Sequence, residues 1–225
     1  LIRRLSLEAP GTFEHTLLIC GLAEEATRMI GGDIDLIKTG ALYHDVGKLH
    51  APNWFIENQD GSKNPHDEID DPFRSAEVLQ AHVDEGLKYA RKNRLPKPIV
   101  NFIPEHQGTL KMGYFFQKAK EKNLKINEND FRYKGPVPQS KETAILMLAD
   151  GCEAALRAMN INASDNEALE TISRIIYSRQ KDGQLDDSNL SKGEIFLIKR
   201  AFLNVWKRIR HRRIQYPTSK NNTFS

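Results

Sequence analysis

Several stretches of the chain place apolar residues three or four positions apart, which is the spacing of an amphipathic helix. The clearest case should begin near Thr12, its expected N-cap, and end at Gly31-Gly32. The stripe on this helix consists of His15, Leu18, Ile19, Leu22, Ala26 and Met29. A histidine therefore shares the face that should turn towards the core.

The same spacing predicts six further helices, whereas signals for strands are poor. Their approximate bounds are 36–48, 75–93, 98–108, 140–159, 166–180 and 192–212. Residues 51–73 are rich in Pro, Asn, Asp and Gly and are expected to form a long irregular loop. Residues 109–139 are polar with interspersed aromatic side chains. Because neither a repeat nor an alternation of strands and helices is present, we predict an all-α fold class.

The composition is that of a globular chain and narrows the range of partners. Of the 225 residues, 39% are hydrophobic and 28% are charged, and the net charge is only +3. We therefore expect no nucleic-acid polymer as a partner. No apolar run approaches the ~18 residues that a membrane-spanning helix needs. Cys20 and Cys152 lie in apolar helical segments without a CxxC pattern and are interpreted as reduced core thiols.

Six ionisable side chains fall on faces that should be buried. They are His15, His44, Asp45, His82, His106 and Asp150. A single histidine on such a face is more often a core residue than a ligand, but burying an unpaired carboxylate is costly. Convergence on metal ions explains all six together, and mixed nitrogen and oxygen ligation suits a dinuclear Mn, Fe or Zn site.

The order of these residues, H…HD…H…H…D, points to a known family. The chain resembles the HD-domain metal-dependent phosphohydrolases, and more specifically the cytoplasmic domain of the seven-transmembrane HD-hydrolase family, the PgpH type. The motifs that carry the resemblance read EAPGTFEHT, YHDVGK, FIENQ, NPHD, PEHQGT and FRYKGPVPQSKETAILMLAD. We therefore expect one HD domain over residues 1–225, with a motif core at 8–150 and C-terminal helices at 165–213.

The resemblance implies an all-α HD fold and two divalent transition-metal ions, Mn²⁺ or Fe²⁺. It also implies hydrolysis of the cyclic dinucleotide cyclic di-AMP to linear pApA by a metal-activated hydroxide. The family's ligand pattern falls on the same six residues. We expect the two ions to be held by His15, His44, Asp45 and Asp150, and by Asp45, His82 and His106, respectively. One departure is Gln107, which stands where the family often has a second histidine.

Catalytic and substrate-binding roles are predicted for a few residues around this centre. Asp45 can bridge two ions through its two oxygens, and Lys48, one helical turn further on, can neutralise a phosphate. We assign both as catalytic. His66, Arg132 and Tyr133 are expected, together with Lys48, to contact the substrate. For Lys48, the alternative is a solvated lysine at a helix end. For His66 it is a histidine on a surface loop, and for Tyr133 it is an aromatic ring that packs a loop onto the core.

Three other functions stay open on the residues alone. A cyclic di-GMP phosphodiesterase of the HD-GYP kind should carry a GYP signature, but the nearest match here is Gly113-Tyr114-Phe115. A one-metal nucleotide phosphohydrolase would leave His82 and His106 without a role. A sensor that binds nucleotide without turnover would not need all six ligands, and only Gln107 favours it.

The resemblance also implies an upstream transmembrane or sensory region, so we expect a cytoplasmic domain tethered to the inner face of the cell membrane. The run KRIRHRR, from Lys207 to Arg213, is either a solvated helix end or a contact with anionic lipid. A homo-oligomer is compatible with the sequence, which does not define the oligomeric state.

Overall fold

The computed structural model describes residues 1–213 except positions 60, 62, 123 and 161, and for residues 211–213 it describes the backbone alone. In these ranges the chain forms helices and one isolated antiparallel bridge between Lys111 and Arg132, so the predicted all-α class is confirmed. The α-helices are α1 (Ile2–Glu8), α2 (Pro10–Ile30), α3 (Ile34–Tyr43), α4 (Pro65–Ile69), α5 (Pro72–Lys92), α6 (Lys97–Val100), α7 (Phe102–Glu105), α8 (Gly113–Glu121), α9 (Lys141–Arg157), α10 (Asp165–Lys181) and α11 (Lys192–Arg213).

The main core forms around α2 and α9, which pack against each other. Residues 143–149 of α9 are all buried, as expected for a helix surrounded by other helices. Helix α3 covers one side of α2, α11 packs along it, and α10 packs on α9. The two helices that supply His15 and Asp150 are therefore the most enclosed part of the fold.

Side-chain caps fix where three of the site-bearing helices begin. Asp33 accepts a hydrogen bond from the backbone of Leu36 at the start of α3, and Asp71 accepts two at the start of α5. Ser140 and Thr143 form a reciprocal capping box at the start of α9. Each cap satisfies backbone N–H groups that the helix itself leaves unpaired, which fixes the register of the residues that follow.

The predicted continuous helix over residues 36–48 is wrong. Helix α3 ends at Tyr43, and a 3₁₀ helix covers Val46–His50. The chain turns here because Gly47 lies against α5, so closely that a Cβ atom on Gly47 would be 1.7 Å from the backbone oxygen of His82. The break places His44 and Asp45 at the end of α3, and both side chains are buried.

Smaller differences concern helix ends and loops. Helix α2 begins at Pro10 with Ala9 as its N-cap, because a proline suits the first turn, and Thr12 lies inside the helix. The expected helix over residues 98–108 is divided into α6 and α7. The expected loop over 51–73 contains α4 and short 3₁₀ turns, and the polar stretch after it contains α8. Helices α10 and α11 begin and end within one residue of their predicted bounds.

Within the described ranges, no helix is both long and apolar enough to cross a membrane.

The contact between Gly47 and α5 gives a test of the fold. Replacing Gly47 with alanine should lower the free energy of unfolding by about 1–3 kcal/mol, because the added methyl group forces α5 to move. Gly21, exposed in α2 with no atom near its Cβ position, is the matched control. There, Gly21→Ala should raise the free energy of unfolding by about 0.5–1 kcal/mol. Urea denaturation measures both, and equal midpoints for the two variants would contradict the close approach.

Candidate metal centre

Asp45 lies at the centre of a buried group of imidazole rings. Its Oδ2 atom is 3.2 Å from Nε2 of His44, and its Oδ1 atom is 3.4 Å from Nε2 of His106 and 3.6 Å from Nε2 of His82. All four side chains are at most 2% exposed. The end of α3, the middle of α5 and the end of α7 therefore converge on one carboxylate.

The orientation of these three rings is set by the hydrogen bond that each Nδ1 atom makes. Nδ1 of His44, His82 and His106 lies 2.6, 2.5 and 2.7 Å from a backbone carbonyl oxygen three residues earlier. A carbonyl can only accept, so each Nδ1 carries the proton and donates it. Each Nε2 then presents a lone pair towards Asp45, which is the form of imidazole that binds metals.

Three polar atoms at this point have no hydrogen-bond partner. They are Nε2 of His44, Nε2 of His82 and Oδ1 of Asp45, and all are buried. Buried polar atoms are almost always paired, because leaving one unpaired costs about 1–3 kcal/mol. Since all three are acceptors, another protein acceptor cannot satisfy them, whereas a cation can. The residues therefore fit a divalent metal, and the ligand atoms of His44, Asp45 and His106 all lie within 4.8 Å of one another.

The charge states also suit a metal site. Burial alone would raise the pKa of Asp45, but Lys48 and His44 hold it well below its usual value, so the carboxylate is ionised. Burial lowers the pKa of His82 to about 3, so its ring is neutral at neutral pH. The ionised carboxylate of Asp45 and the neutral ring of His82 are thus in the protonation states that metal binding requires.

The remaining two predicted ligands form a separate pair. Nε2 of His15 lies 2.9 Å from Oδ1 of Asp150, and its Nδ1 lies 2.5 Å from Oε2 of Glu153. Burial opposes protonation of the ring, but its hydrogen bonds to the carboxylates of Asp150 and Glu153 raise the pKa of His15 to about 10. No hydrogen bond or ion pair joins this pair to Asp45 among the described side chains. Burial opposes protonation of His44, but the charges of Asp45 and, to a smaller degree, of Asp150 raise its pKa. The structure thus divides the six predicted ligands into two groups, four side chains centred on Asp45 and the pair of His15 and Asp150.

Lys48 is buried and already paired. The expected position one helical turn beyond His44 is wrong, because the helix does not continue to Lys48. It lies in the 3₁₀ helix, with Nζ 2.8 Å from Oδ2 of Asp45 and 2.6 Å from Oε1 of Glu57. Burial opposes its charge, but the two carboxylates raise the pKa of Lys48 above its usual value. Glu57 also accepts a hydrogen bond from Thr12 at 3.0 Å, which ties the loop after the 3₁₀ helix to the first turn of α2.

Arg132 is engaged by neighbouring side chains. Its Nε and Nη2 atoms donate to Glu128 at 2.9 and 2.7 Å, and both terminal nitrogens lie 3.1 Å from the carboxylate of Asp182. Nη1 also donates to the backbone oxygen of Thr109 at 2.9 Å. A phosphate contact by Arg132 stays a prediction, and it requires at least one of these ion pairs to open.

Tyr133 and His66 lie at different distances from the centre. The ring of Tyr133 is edge-on to His82, with ring centroids 5.8 Å apart, so it lines the site. His66 is buried rather than a surface-loop residue, and its Nε2 lies 2.9 Å from the backbone oxygen of Trp54. Burial lowers the pKa of His66. Its nearest rings belong to Trp54 and Phe115, so any contact with a substrate requires the substrate to reach this loop.

Gln107, the departure noted in the sequence, touches the centre directly. Its side-chain amide nitrogen lies 3.1 Å from Nε2 of His106. The amide thus occupies the same lone pair that a metal at His106 would use. Gln107 must therefore turn away when His106 acts as a ligand.

Sequence reasoning missed two carboxylates, Glu153 and Glu57. Glu153 stands three residues after Asp150 on the same buried face of α9, so the apolar stripe carried a usable signal for it. Glu57 lies in a 3₁₀ turn with no regular spacing. Its signal was its position inside the FIENQ motif.

Comparison with protein families agrees with this geometry. Residues 12–155 match the model of the HD domain, and the chain belongs to this family. Within it, the chain is similar to the HD domain of PgpH. It is 37% identical to the cyclic-di-AMP phosphodiesterase PgpH of Listeria monocytogenes over 98% of the chain, and 48% identical to an uncharacterized protein of Synechocystis sp. over 96% of it. The chain spans 30% and 27% of the length of these two relatives.

A solved structure extends the similarity to three dimensions. The crystal structure of the L. monocytogenes PgpH HD domain in complex with cyclic di-AMP superposes with a TM-score of 0.89 at 35% identity. The match covers 92% of this chain and 96% of that domain. The predicted resemblance to the PgpH-type HD domain is thereby confirmed.

Metal binding should be visible as a gain in stability. Adding Mn²⁺ to chelator-treated protein should raise the thermal midpoint, because a ligand at 100 times its Kd adds about 2.7 kcal/mol to the free energy of unfolding. His82→Ala should lose most of this shift. His50→Ala, which removes a histidine bonded to Gly47 outside the centre, should keep it. Scanning fluorimetry measures the shift, and an unchanged shift in His82→Ala would exclude His82 as a ligand.

Proposed function

We propose that this chain is the catalytic domain of a metal-dependent phosphodiesterase that hydrolyses cyclic di-AMP to pApA. One observation carries the proposal: a buried carboxylate faces three imidazole lone pairs in a fold that matches a cyclic-di-AMP-bound HD domain. The proposal thus joins two facts: the relative acts on cyclic di-AMP, and this chain has a site whose residues suit the same chemistry. The alternatives are hydrolysis of cyclic di-GMP or another nucleotide, and nucleotide sensing without turnover.

We assign the site to two ions, Mn²⁺ or Fe²⁺ by ligand type. Divalent ions at such a site supply Lewis acidity at a phosphodiester oxygen and activate a water for attack. Asp45 offers one oxygen towards His44 and the other towards His82 and His106, which supports a bridging role. His15 and Asp150 would complete the coordination on the side of His44.

Lys48 is suited to bind a phosphate without leaving its present position. Its ammonium group has three N–H donors, and Asp45 and Glu57 account for two. The third can donate to a phosphate oxygen beside the metal centre. Because the two carboxylates fix the ammonium, its charge is already oriented when negative charge develops on the phosphoryl group, which is the condition for electrostatic catalysis.

Three further substrate contacts remain proposals with unequal support. Tyr133 has the best, because its ring packs against His82 at the edge of the centre. His66 lies beside Trp54 of the loop and Phe115 of α8, where a base could stack. Arg132 has the least, because Glu128 and Asp182 already pair with its guanidinium.

The rest of the full-length protein is inferred from length. The chain spans less than a third of the PgpH relative, and its motifs resemble the seven-transmembrane HD-hydrolase family. From this resemblance we propose that it is tethered to the inner face of a membrane behind a transmembrane or sensory region. The basic run gives limited support to lipid contact. Lys207 pairs with Asp165 at 2.6 Å and Arg208 with Glu25 at 3.3 Å. The side chains of residues 211–213 lie outside the described part.

Hydrolysis of cyclic di-AMP beside cyclic di-GMP tests the proposal. With Mn²⁺, the chain should convert cyclic di-AMP to pApA and cut cyclic di-GMP much more slowly, and a chelator should stop both reactions. Asp45→Ala should abolish turnover, because it removes the carboxylate that would be shared by the metal ions, and it should also lower metal content. Chromatography follows the products, and elemental analysis gives the metal content.

The controls separate the competing functions. Equal rates on the two cyclic dinucleotides would favour a broader phosphodiesterase. Binding of nucleotide and metal without turnover would favour a sensor and direct attention to Gln107. Full activity in Asp45→Ala would overturn the proposed mechanism.

The role of Lys48 can be tested separately from metal binding. Replacing Lys48 with methionine should lower kcat by about 10²–10³, the usual effect of removing one preorganised charge donor. This variant should still bind the same number of Mn²⁺ ions per chain as the wild type. Glu57→Gln, which keeps the lysine but weakens its anchoring, is the matched control and should have a smaller effect. If Lys48→Met lost metal and activity in parallel, its role would be structural.

A further inference from the structure

We propose that Glu153 is a positioning residue that orients His15 towards the metal centre, and this inference rests on the proposed function. Oε2 of Glu153 lies 2.5 Å from Nδ1 of His15, and the two side chains are 6% and 5% exposed. Because carboxylates accept, both ring nitrogens donate here, Nδ1 to Glu153 and Nε2 to Asp150. A metal at His15 would replace the proton on Nε2, while Glu153 would keep the proton on Nδ1. Glu153 itself would not touch substrate or metal.

His15 needs such a partner more than the other three rings do. Nδ1 of His44, His82 and His106 donates to backbone oxygens within the same local segment, so the backbone fixes those rings. The backbone supplies no such acceptor for His15 in the described contacts. Its Nδ1 is held from a different helix, by a side chain 138 positions further along the chain. The hydrogen bond that holds Nδ1 of His15 therefore comes from Glu153.

The surroundings of Glu153 offer no better reason for a buried carboxylate. It borders a cavity of about 150 Å³ between α2, α9 and α11, whose other lining residues are mostly apolar. Its second neighbour is Arg157, 3.5 Å away and 40% exposed, which makes a weak pair in contact with solvent. Since burying a carboxylate is costly without strong compensation, the short bond to His15 is the interaction that holds it there.

The pairing has a chemical consequence for His15 as a ligand. A carboxylate bonded to the distal nitrogen makes an imidazole a stronger electron donor and fixes its tautomer. Asp150 and Glu153 are one helical turn apart on α9, so they hold the two nitrogens of the same ring from one rigid element. The ion bound through His15 should depend on Glu153, whereas the ion bound through His82 and His106 should not.

Metal affinities measured without substrate test this inference. Mn²⁺ is titrated against a chromogenic chelator in the wild type, Glu153→Ala, Glu153→Gln and Arg157→Ala. Glu153→Ala should weaken one of the two ions about 10- to 100-fold and leave the other unchanged. Glu153→Gln retains an acceptor oxygen without the charge, so its affinity for that ion should lie between those of Glu153→Ala and the wild type. Arg157→Ala removes the other neighbour of Glu153, and its affinities for Mn²⁺ should stay within about twofold of the wild-type values.

The outcomes are decisive even if one variant fails to fold. Glu153→Gln preserves the shape of the side chain, so it serves if Glu153→Ala does not fold by circular dichroism. The inference is overturned if Glu153→Gln binds both ions as tightly as Arg157→Ala, or if both ions weaken equally. Because no nucleotide is present, this result is distinguishable from failure of the proposed phosphodiesterase activity, which would appear as absence of hydrolysis by the wild type.

Discussion

The burial of the Asp45 carboxylate is the constraint on which the centre depends. An isolated charge in the interior is too costly to persist, so the surrounding chain must compensate it. Lys48 does so at 2.8 Å, but Lys48 is shared with Glu57, and the nearby Asp150 and Glu153 share His15. Four carboxylates thus share two buried cationic groups, and the one further partner among these contacts, Arg157 at 3.5 Å from Glu153, is 40% exposed. The buried groups therefore carry an excess of negative charge, which a metal cation held by the imidazoles would offset.

Backbone geometry delivers this arrangement through close contacts that tolerate no side chain. Gly47 allows the segment after Asp45 to lie against α5, and Gly11 allows the backbone of Glu57 to lie against the start of α2. At both glycines a Cβ atom would be less than 2 Å from a backbone oxygen. The segment carrying Asp45 and Lys48 is consequently held against α5, and Glu57, the partner of Lys48, is held against α2. These two contacts explain how a 3₁₀ helix with few local hydrogen bonds can hold a buried ion pair.

These contacts explain how far the sequence alone can be read. Helical spacing was sufficient to predict the all-α class and to place His15, His82 and Asp150 on buried faces, because a 3.6-residue period records burial directly. The end of α3 at Tyr43 was not predictable in this way, because it results from the approach of α5, a tertiary contact that no local pattern encodes. The sequence also does not show whether a charged side chain is free to bind a ligand. Arg132 is of a type suited to bind phosphate, but the fold brings Glu128 and Asp182 to it as partners.

The way each ring is held divides the centre into two unequal halves. Imidazoles bonded to their own backbone are as rigid as the helices that carry them, and they require nothing beyond correct folding. His15 instead depends on a side chain from α9, and Glu153 in turn borders a cavity between α2, α9 and α11. This contact joins α2 to α9, so its geometry depends on how these two helices pack against each other. The half formed by His15 and Asp150 is therefore held by the packing of two helices, whereas each ring around Asp45 is held within its own segment.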